Sequence, residues 1–196
     1  MTDGRWIASL CLARVGFALI FVAYSAALGL LKQDWGLSSA QAGLIQSAWH
    51  VGFLVSLFSV GFLADRYGAK RTFLSTSIAA CASGLAFAVF ADGFVSALLL
   101  HGLAGLCSGG SYTPGMTLIA ERFPAVRRGR VMGFWITVGG VVGNLAHWIM
   151  GQKVQDFAAQ ARHPQTYFGL YGVLGLLMLL SLLGFPCLHA IRKRDP

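Results

Sequence analysis

Charged residues are scarce in this chain. They make up 11% of its 196 residues, while hydrophobic residues make up 56% and the mean hydropathy is +0.67. Soluble domains carry about 25% charged residues, and a small globule leaves a large share of its surface exposed to water. This composition excludes a soluble globular enzyme, a disordered chain and a nucleic-acid binder. It predicts a protein whose solvent is the lipid bilayer.

Acidic residues are the scarcest charged class, with 7 Asp and Glu against 15 Lys and Arg. None of them lies deep in an apolar run, so we expect no proton-coupling carboxylate inside a span. The 4 cysteines all lie within apolar runs and show no Cys-x-x-Cys spacing. Such cysteines are ordinary small buried residues, so the sequence predicts no metal site, no disulfide and no cofactor.

Long apolar runs account for most of the chain. A helix needs roughly 20 apolar residues to cross a hydrocarbon core of about 30 Å. The runs are continuous rather than alternating, which favours helices over a membrane barrel. The sequence therefore predicts an all-α membrane protein in which residues 1–196 form a single bundle of six transmembrane helices, the fourth kinked at Pro114. The predicted spans are residues 6–31, 40–63, 72–91, 94–119, 131–150 and 167–190.

The basic residues predict the orientation of these spans. Of the 15 Lys and Arg residues, all but Lys32, Lys153 and Arg162 fall on one side of the six-span arrangement. Cationic residues hold short loops on the cytoplasmic side of a membrane. We therefore expect a multi-pass protein of a plasma membrane, such as a bacterial inner membrane, with both termini in the cytoplasm.

The connection between the second and third spans, residues 61–71, reads GFLADRYGAKR. It resembles the signature loop of the major facilitator superfamily, G-x-L-a-D-R-x-G-r-[RK]-[RK], and it lies between the matching two spans. The resemblance implies half of a twelve-helix transporter fold, with a 3+3 pseudo-repeat, and a loop that latches the two halves. A loop that only sets the topology is the alternative. The implied gating residues are Gly61, Asp65, Arg66, Gly68, Lys70 and Arg71.

Three residues of this loop have a physical reason for their type. Gly68 allows a positive φ in a tight turn. Gly61 lets a neighbouring backbone approach closely. Asp65 is expected just before the third helix, where a carboxylate is favoured by the helix N-terminal amides.

The connection before the fifth span also resembles a family loop, F-P-x-x-x-R-G-x-x-x-G. Glu121, Arg122 and Arg128 are the implied gating partners, because they could exchange ion pairs with the signature loop across the cytoplasmic face. A solvated run of charges is the alternative, and exposed ion pairs are worth only about 0–1 kcal/mol.

Polar residues inside the spans are few and are candidates for solute binding. They lie on the first, second, fourth and fifth spans, the helices that line the solute path in the resembled fold. For Arg14, anion binding and snorkelling to the cytoplasmic interface remain open, and for the whole set hydrogen bonds between helices are the alternative. His101 also shares a face with Gly105 and Gly109, which a small-residue packing surface would explain. The candidates are Arg14, Tyr24, Gln46, His50, His101 and Asn144.

The resemblance implies a secondary transporter that moves a small solute by alternating access, with symport or uniport left open. Because it covers half of a twelve-helix unit, we expect a second six-helix unit, either another copy of this chain or a separate one; residues 192–196 look like the start of the connection to it. A non-transporting membrane scaffold or gene remnant is one alternative. An intramembrane serine hydrolase using Ser111 and His189 is another, although the Gly-x-Ser-Gly turn is incomplete.

The predicted orientation is testable by cysteine labelling. In a background without native cysteines, Arg66→Cys should be protected from an impermeant thiol reagent added outside cells, whereas Gln160→Cys should react. The reverse labelling pattern would overturn the assigned orientation.

Overall fold

The computed structural model describes residues 3–158, without the side chains of residues 146, 147, 150, 151 and 153–158. These residues form helices and contain no strand, which confirms the expected all-α class. The predicted sixth span, 167–190, lies outside the described residues. The helices are α1 (Asp3–Asp34), α2 (Ser39–Tyr67), α3 (Ala69–Phe90), α4 (Phe94–Ser108), α5 (Thr113–Arg122) and α6 (Ala125–Ala158), with a 3₁₀ turn at Gly109–Ser111.

Four helical segments in the described part of the chain are long and apolar enough to cross a membrane. They are Asp3–Asp34, Ser39–Tyr67, Ala69–Phe90 and Phe94–Arg122. The helix α6, which contains the predicted fifth span, is not among them; Asn144 and His147 interrupt its apolar run. The chain is thus a multi-pass helical membrane protein.

The ends of α2 follow from local sequence. Ser38 caps its start, with the Ser38 hydroxyl accepting from the Gln41 amide and the Gln41 side chain accepting from the Ser38 amide. This reciprocal pair satisfies two amides that the first helical turn leaves without partners. At the other end Gly68 alone separates α2 from α3, with φ of 86° as predicted for a tight turn. A residue with a side chain would be strained there.

The fourth predicted span is divided. The helix α4 ends at Ser108, a 3₁₀ turn follows, and α5 begins at Thr113 with Pro114 in its first turn. Proline fits the first turn of a helix but cannot supply the amide that a continuous helix would need there. The expected kink is therefore a break whose 3₁₀ residues precede the proline.

Glycines bring α2 and α4 into backbone contact. A Cβ added at Gly105 would overlap the carbonyl oxygen of Trp49, and one added at Gly52 would overlap the carbonyl oxygen of Gly102. The same surface continues to Gly109, whose added Cβ would overlap the Ser56 side chain. The spacing of Gly105 and Gly109 indeed marks a packing face, as the small-residue interpretation predicts.

Replacing Gly105 with alanine should disrupt this contact. Because the added methyl meets backbone, which cannot rotate away, we expect Gly105→Ala to destabilise the bundle by about 1–3 kcal/mol, as overpacking does. Gly43→Ala is the matched control, since nothing lies within 4 Å of its added Cβ. Thermal unfolding in detergent would measure both variants; equal melting temperatures would contradict the close contact.

Candidate functional site

A cavity of about 310 Å³ opens in the bundle beside α1. Its walls come from α1, α2, α6 and the break in the fourth span, which contributes Ser108, Ser111 and Tyr112. Arg14 is its charged residue among the described side chains, and no Asp or Glu of residues 3–158 lines it. The lining residues are Arg14, Phe17, Ala18, Phe21, Val22, Trp49, Phe53, Ser108, Ser111, Tyr112, Gly139, Gly140, Gly143 and Asn144.

Arg14 is held by contacts with two other helical segments. Its Nη1 donates to the Ser111 hydroxyl at 3.2 Å. Its guanidinium carbon lies 5.1 Å from the centroid of the Tyr112 ring and 5.3 Å from that of Trp135. Cations over aromatic faces are attracted by the ring quadrupole, most strongly where water is excluded.

The Arg14 side chain extends from α1 to the 3₁₀ turn and to α6. At one end of the antiparallel pair α1 and α5, Asp3 contacts Arg122. Arg14 follows Asp3 by as many positions as Ser111 precedes Arg122, so the Arg14–Ser111 bond lies at a matching height. That height is about 16 Å along α1 from Asp3 at 1.5 Å per residue. The Arg14 guanidinium rests on Trp135, whose Nε1 is bonded to Leu10, one turn nearer Asp3, so anion binding and snorkelling both stay predictions for Arg14.

Two residues of α6, Gly139 and Trp135, position the Arg14 side chain. A Cβ added at Gly139 would overlap the Cγ and Nε atoms of Arg14, so the side chain lies directly against the α6 backbone. The Trp135 ring is fully buried, and its Nε1 donates to the Leu10 carbonyl oxygen at 3.2 Å. This bond fixes the ring on which the guanidinium rests.

Asn144 is the second sequence-predicted candidate that lines the cavity. Its Nδ2 donates to the Gly140 carbonyl oxygen, one turn earlier in α6, at 2.8 Å. The amide group is exposed and lies on the same wall as Gly139. Arg14 and Asn144 are thus brought to one cavity from α1 and α6.

Tyr24, Gln46, His50 and His101 do not line this cavity. Tyr24 and His101 are buried together, with ring centroids 4.7 Å apart, and the Tyr24 hydroxyl donates to the Ala42 carbonyl oxygen at 3.0 Å. His50 is exposed, and its Nδ1 contacts the Gln46 carbonyl oxygen at 2.9 Å. For Tyr24 the observed geometry matches the alternative of a hydrogen bond between helices.

The signature segment differs from its expected local structure in two respects. Asp65 lies in the last turn of α2 rather than in a loop, and the start of α3 has no side-chain cap. A Cβ added at Gly61 meets nothing within 4 Å among the described residues, so the close approach of a neighbouring backbone there stays a prediction. The helix α2 continues to Tyr67 because Gly68 alone makes the turn into α3. Arg66 stacks over the Tyr67 ring at 5.5 Å.

The predicted gating partners lie at the same end of the bundle. Arg122 donates from Nε and Nη2 to the Asp3 carboxylate at 3.2 and 3.0 Å, and its guanidinium carbon lies 5.1 Å from the Trp6 ring centroid. Arg128 reaches the Phe123 carbonyl oxygen at 3.5 Å, and Glu121 is exposed. The observed carboxylate partner of Arg122 is thus the start of α1.

Sequence reasoning missed four residues that position Arg14: Ser111, Tyr112, Trp135 and Gly139. A usable signal existed in the fourth span, where Gly109, Gly110 and Pro114 predict a break that exposes the residues between them. No comparable signal identifies Trp135, whose pairing with Leu10 joins residues far apart in the sequence.

Long apolar helices, a glycine-packed helix pair and a broken helix beside a cavity define a polytopic helical membrane protein. The family model described as Major Facilitator Superfamily matches residues 10–195. The chain therefore belongs to the major facilitator superfamily, a family of transporters and not of enzymes, which excludes the hydrolase alternative.

Individual relatives agree with this membership. The chain is 28% identical over 165 residues to the putative metabolite transport protein YwtG of Bacillus subtilis, covering 83% of this chain and 34% of that protein. It is 40% identical over 83 residues to solute carrier family 22 member 1 of Bos taurus, covering 42% and 15%. A crystal structure of a D-xylose-proton symporter shares the fold, with a TM-score of 0.72 and 16% identity over 92% of this chain and 47% of that one. This chain thus spans about half of the solved structure and 34% and 15% of these two relatives.

The bond between Trp135 and Leu10 should contribute measurably to stability. Trp135→Phe keeps an aromatic ring but removes the Nε1 donor, and we expect a loss of about 1 kcal/mol, the usual net worth of such a bond. Trp148→Phe is the control, because Trp148 is 61% exposed. Thermal unfolding of both variants in detergent measures the difference; an equal effect of the two substitutions would contradict the assigned role.

Proposed function

We propose that residues 1–196 form one six-helix unit of a secondary transporter that moves a small solute across a membrane by alternating access. The carrying observation is the cavity beside α1, which holds one guanidinium at depth in a chain of the major facilitator superfamily. A charged side chain inside a membrane is costly and usually faces a solute path or a partner. Arg14 and Asn144 are the proposed solute-binding residues. His50 packs against two rings of the aromatic wall of the cavity, with centroids 5.7 Å from Phe21 and 5.3 Å from Trp49.

We infer that a second six-helix unit supplies the opposite wall of the path. The exposed side of α2 supports this, because 17% of its apolar window is buried, against 39–44% in the other three segments. The exposed residues of α2 include Ser47, His50 and Asp65, and the 18 residues from Ser47 to Asp65 make about five whole turns, which places these two on one face. Polar groups are unfavourable against lipid, so this face suits protein or a water-filled path. The unit is either further chain, a second copy or a separate polypeptide.

We further propose that the end of the bundle with the Gly68 turn forms the cytoplasmic gate. Asp65 with Arg66, Lys70 and Arg71 flanks this turn, and helix direction brings Glu121, Arg122 and Arg128 to the same end. The concentration of Lys and Arg there supports a cytoplasmic location, and with it cytoplasmic termini. The bacterial relative supports an inner membrane. Exposed charge pairs of small individual worth suit a latch that must break in every cycle.

Uptake into liposomes containing the whole protein tests this function. With labelled D-xylose and benzoate as probes, we expect uptake that saturates with concentration. Asp65→Asn should lower the uptake about tenfold, the size of a typical coupling free energy, because a neutral isostere weakens the latch without changing its shape. Asp34→Asn is the matched control, since Asp34 is an exposed acid at the C-terminal end of α1, at the end of the bundle opposite the Gly68 turn.

Two outcomes would contradict the proposal. Unchanged uptake by Asp65→Asn would remove the gating role of this carboxylate. Saturable flux through the 196-residue chain, shown to be strictly monomeric by light scattering, would remove the need for a second unit. Insertion of each variant is checked by its yield in the membrane fraction.

A further inference from the structure

The cavity beside α1 has an unbalanced charge. Arg14 contributes a guanidinium that is always protonated, and the described lining residues contribute no carboxylate. Ser111 accepts from one of the five N–H donors, and the rings of Tyr112 and Trp135 face the guanidinium plane. Because a low dielectric strengthens charge interactions, an anion at this position would be stabilised more than it would be in water.

The guanidinium is also fixed in advance. Gly139 lets the Arg14 stem lie against the α6 backbone, and the Ser111 bond and the two rings set its plane. Arginine presents its donors in a rigid fork that matches the two oxygens of a carboxylate. A ligand that binds a pre-positioned fork avoids the cost of ordering a long side chain. The geometry therefore favours a planar oxyanion over a bare monovalent ion.

The remaining walls are aromatic. Phe21 lies with its ring centroid 4.5 Å from that of Trp49, and Trp49 stacks on Phe53 at 5.0 Å with an interplanar angle of 13°. These rings line the cavity together with Phe17 and Tyr112. Flat aromatic walls favour a flat apolar body through stacking and burial. A volume of about 310 Å³ limits that body to a small molecule.

We propose that this cavity binds a small monocarboxylate with a flat apolar body, with the carboxylate on Arg14 and the body against Trp49 and its neighbouring rings. The inference rests on the proposed function in so far as it treats the cavity as the solute path. Gly139 is a positioning residue in this site, because a side chain there would displace the guanidinium from Ser111.

Binding of simple probes tests the inference separately from transport. Benzoate, benzamide and benzylamine share a ring and differ in charge, and quenching of tryptophan fluorescence reports binding near Trp49 and Trp135. For the full chain in liposomes we expect benzoate to bind at least about tenfold more tightly than benzamide, since a hydrogen bond to a charged group is worth that much. We expect benzylamine not to bind. Equal affinities for benzoate and benzamide, or tighter binding of benzylamine, would overturn the proposal.

Variants of Arg14 connect binding to this residue. Arg14→Gln should abolish the preference for benzoate, whereas Arg5→Gln, at an exposed arginine near the start of α1, should keep it. Arg14→Lys keeps the charge and serves as a second variant in case Arg14→Gln fails to fold. It should still prefer benzoate to benzamide but bind benzoate about tenfold more weakly than the wild type does. Wild-type benzoate affinity in either variant would refute the role of Arg14.

Gly139→Ala tests the positioning role. It should weaken benzoate binding while leaving benzamide binding unchanged, and Gly133→Ala, with nothing within 4 Å of its added Cβ, should do neither. Equal loss for both probes would indicate a general collapse of the cavity and would overturn the positioning role.

If the whole protein takes up D-xylose but shows no saturable benzoate binding, the substrate class is wrong and the transport function stands. If benzoate binds through Arg14 and no uptake occurs, the transport function is wrong and the binding site stands.

Discussion

The backbone contact between α2 and α4 is the constraint on which the rest of the bundle depends. Glycines at 52 and 105 remove the side chains that would hold these helices apart, and Gly109 continues the contact to the Ser56 side chain. The break in the fourth span begins directly after this surface. Ser111 and Tyr112 consequently leave the line of α4 and meet α1 at Arg14. A packing feature of one helix pair thereby determines where the half-buried guanidinium of Arg14 finds its partners.

The helical class and several local features could be predicted because they depend on short stretches of sequence. Continuous apolar runs predict helices, the Gly68 turn needs a positive φ, and the spacing of Gly105 and Gly109 predicts a packing face. The prediction that Asp65 lies in a loop was wrong. The apolar run of the second span ends at residue 63, but α2 continues through the charged residues up to Tyr67. Hydropathy marks the part of a helix that contacts lipid, not its full length.

The environment of the site residues depends on contacts that no local pattern encodes. Periodicity places His101 and Gly105 on one face but does not reveal whether that face meets a cavity or another helix. Tyr24 fills the space beside His101, so both are buried in the packing between helices. For Arg14 the residue type predicted a special surrounding, but its partners come from segments about a hundred residues away and were identified only through the tertiary fold.

Among the described residues, three side-chain hydrogen bonds join α1 to the fourth span and to α6 at different heights: Asp3 to Arg122, Leu10 to Trp135, and Arg14 to Ser111. Because they lie at different heights, these contacts oppose sliding of α1 along the fourth span and α6. The Arg14 guanidinium is thus in contact with both the fourth span and α6. The 3₁₀ turn at Gly109–Ser111 links these contacts to the α2–α4 pair, because Gly109 packs against Ser56 of α2 while Ser111 accepts from Arg14 of α1.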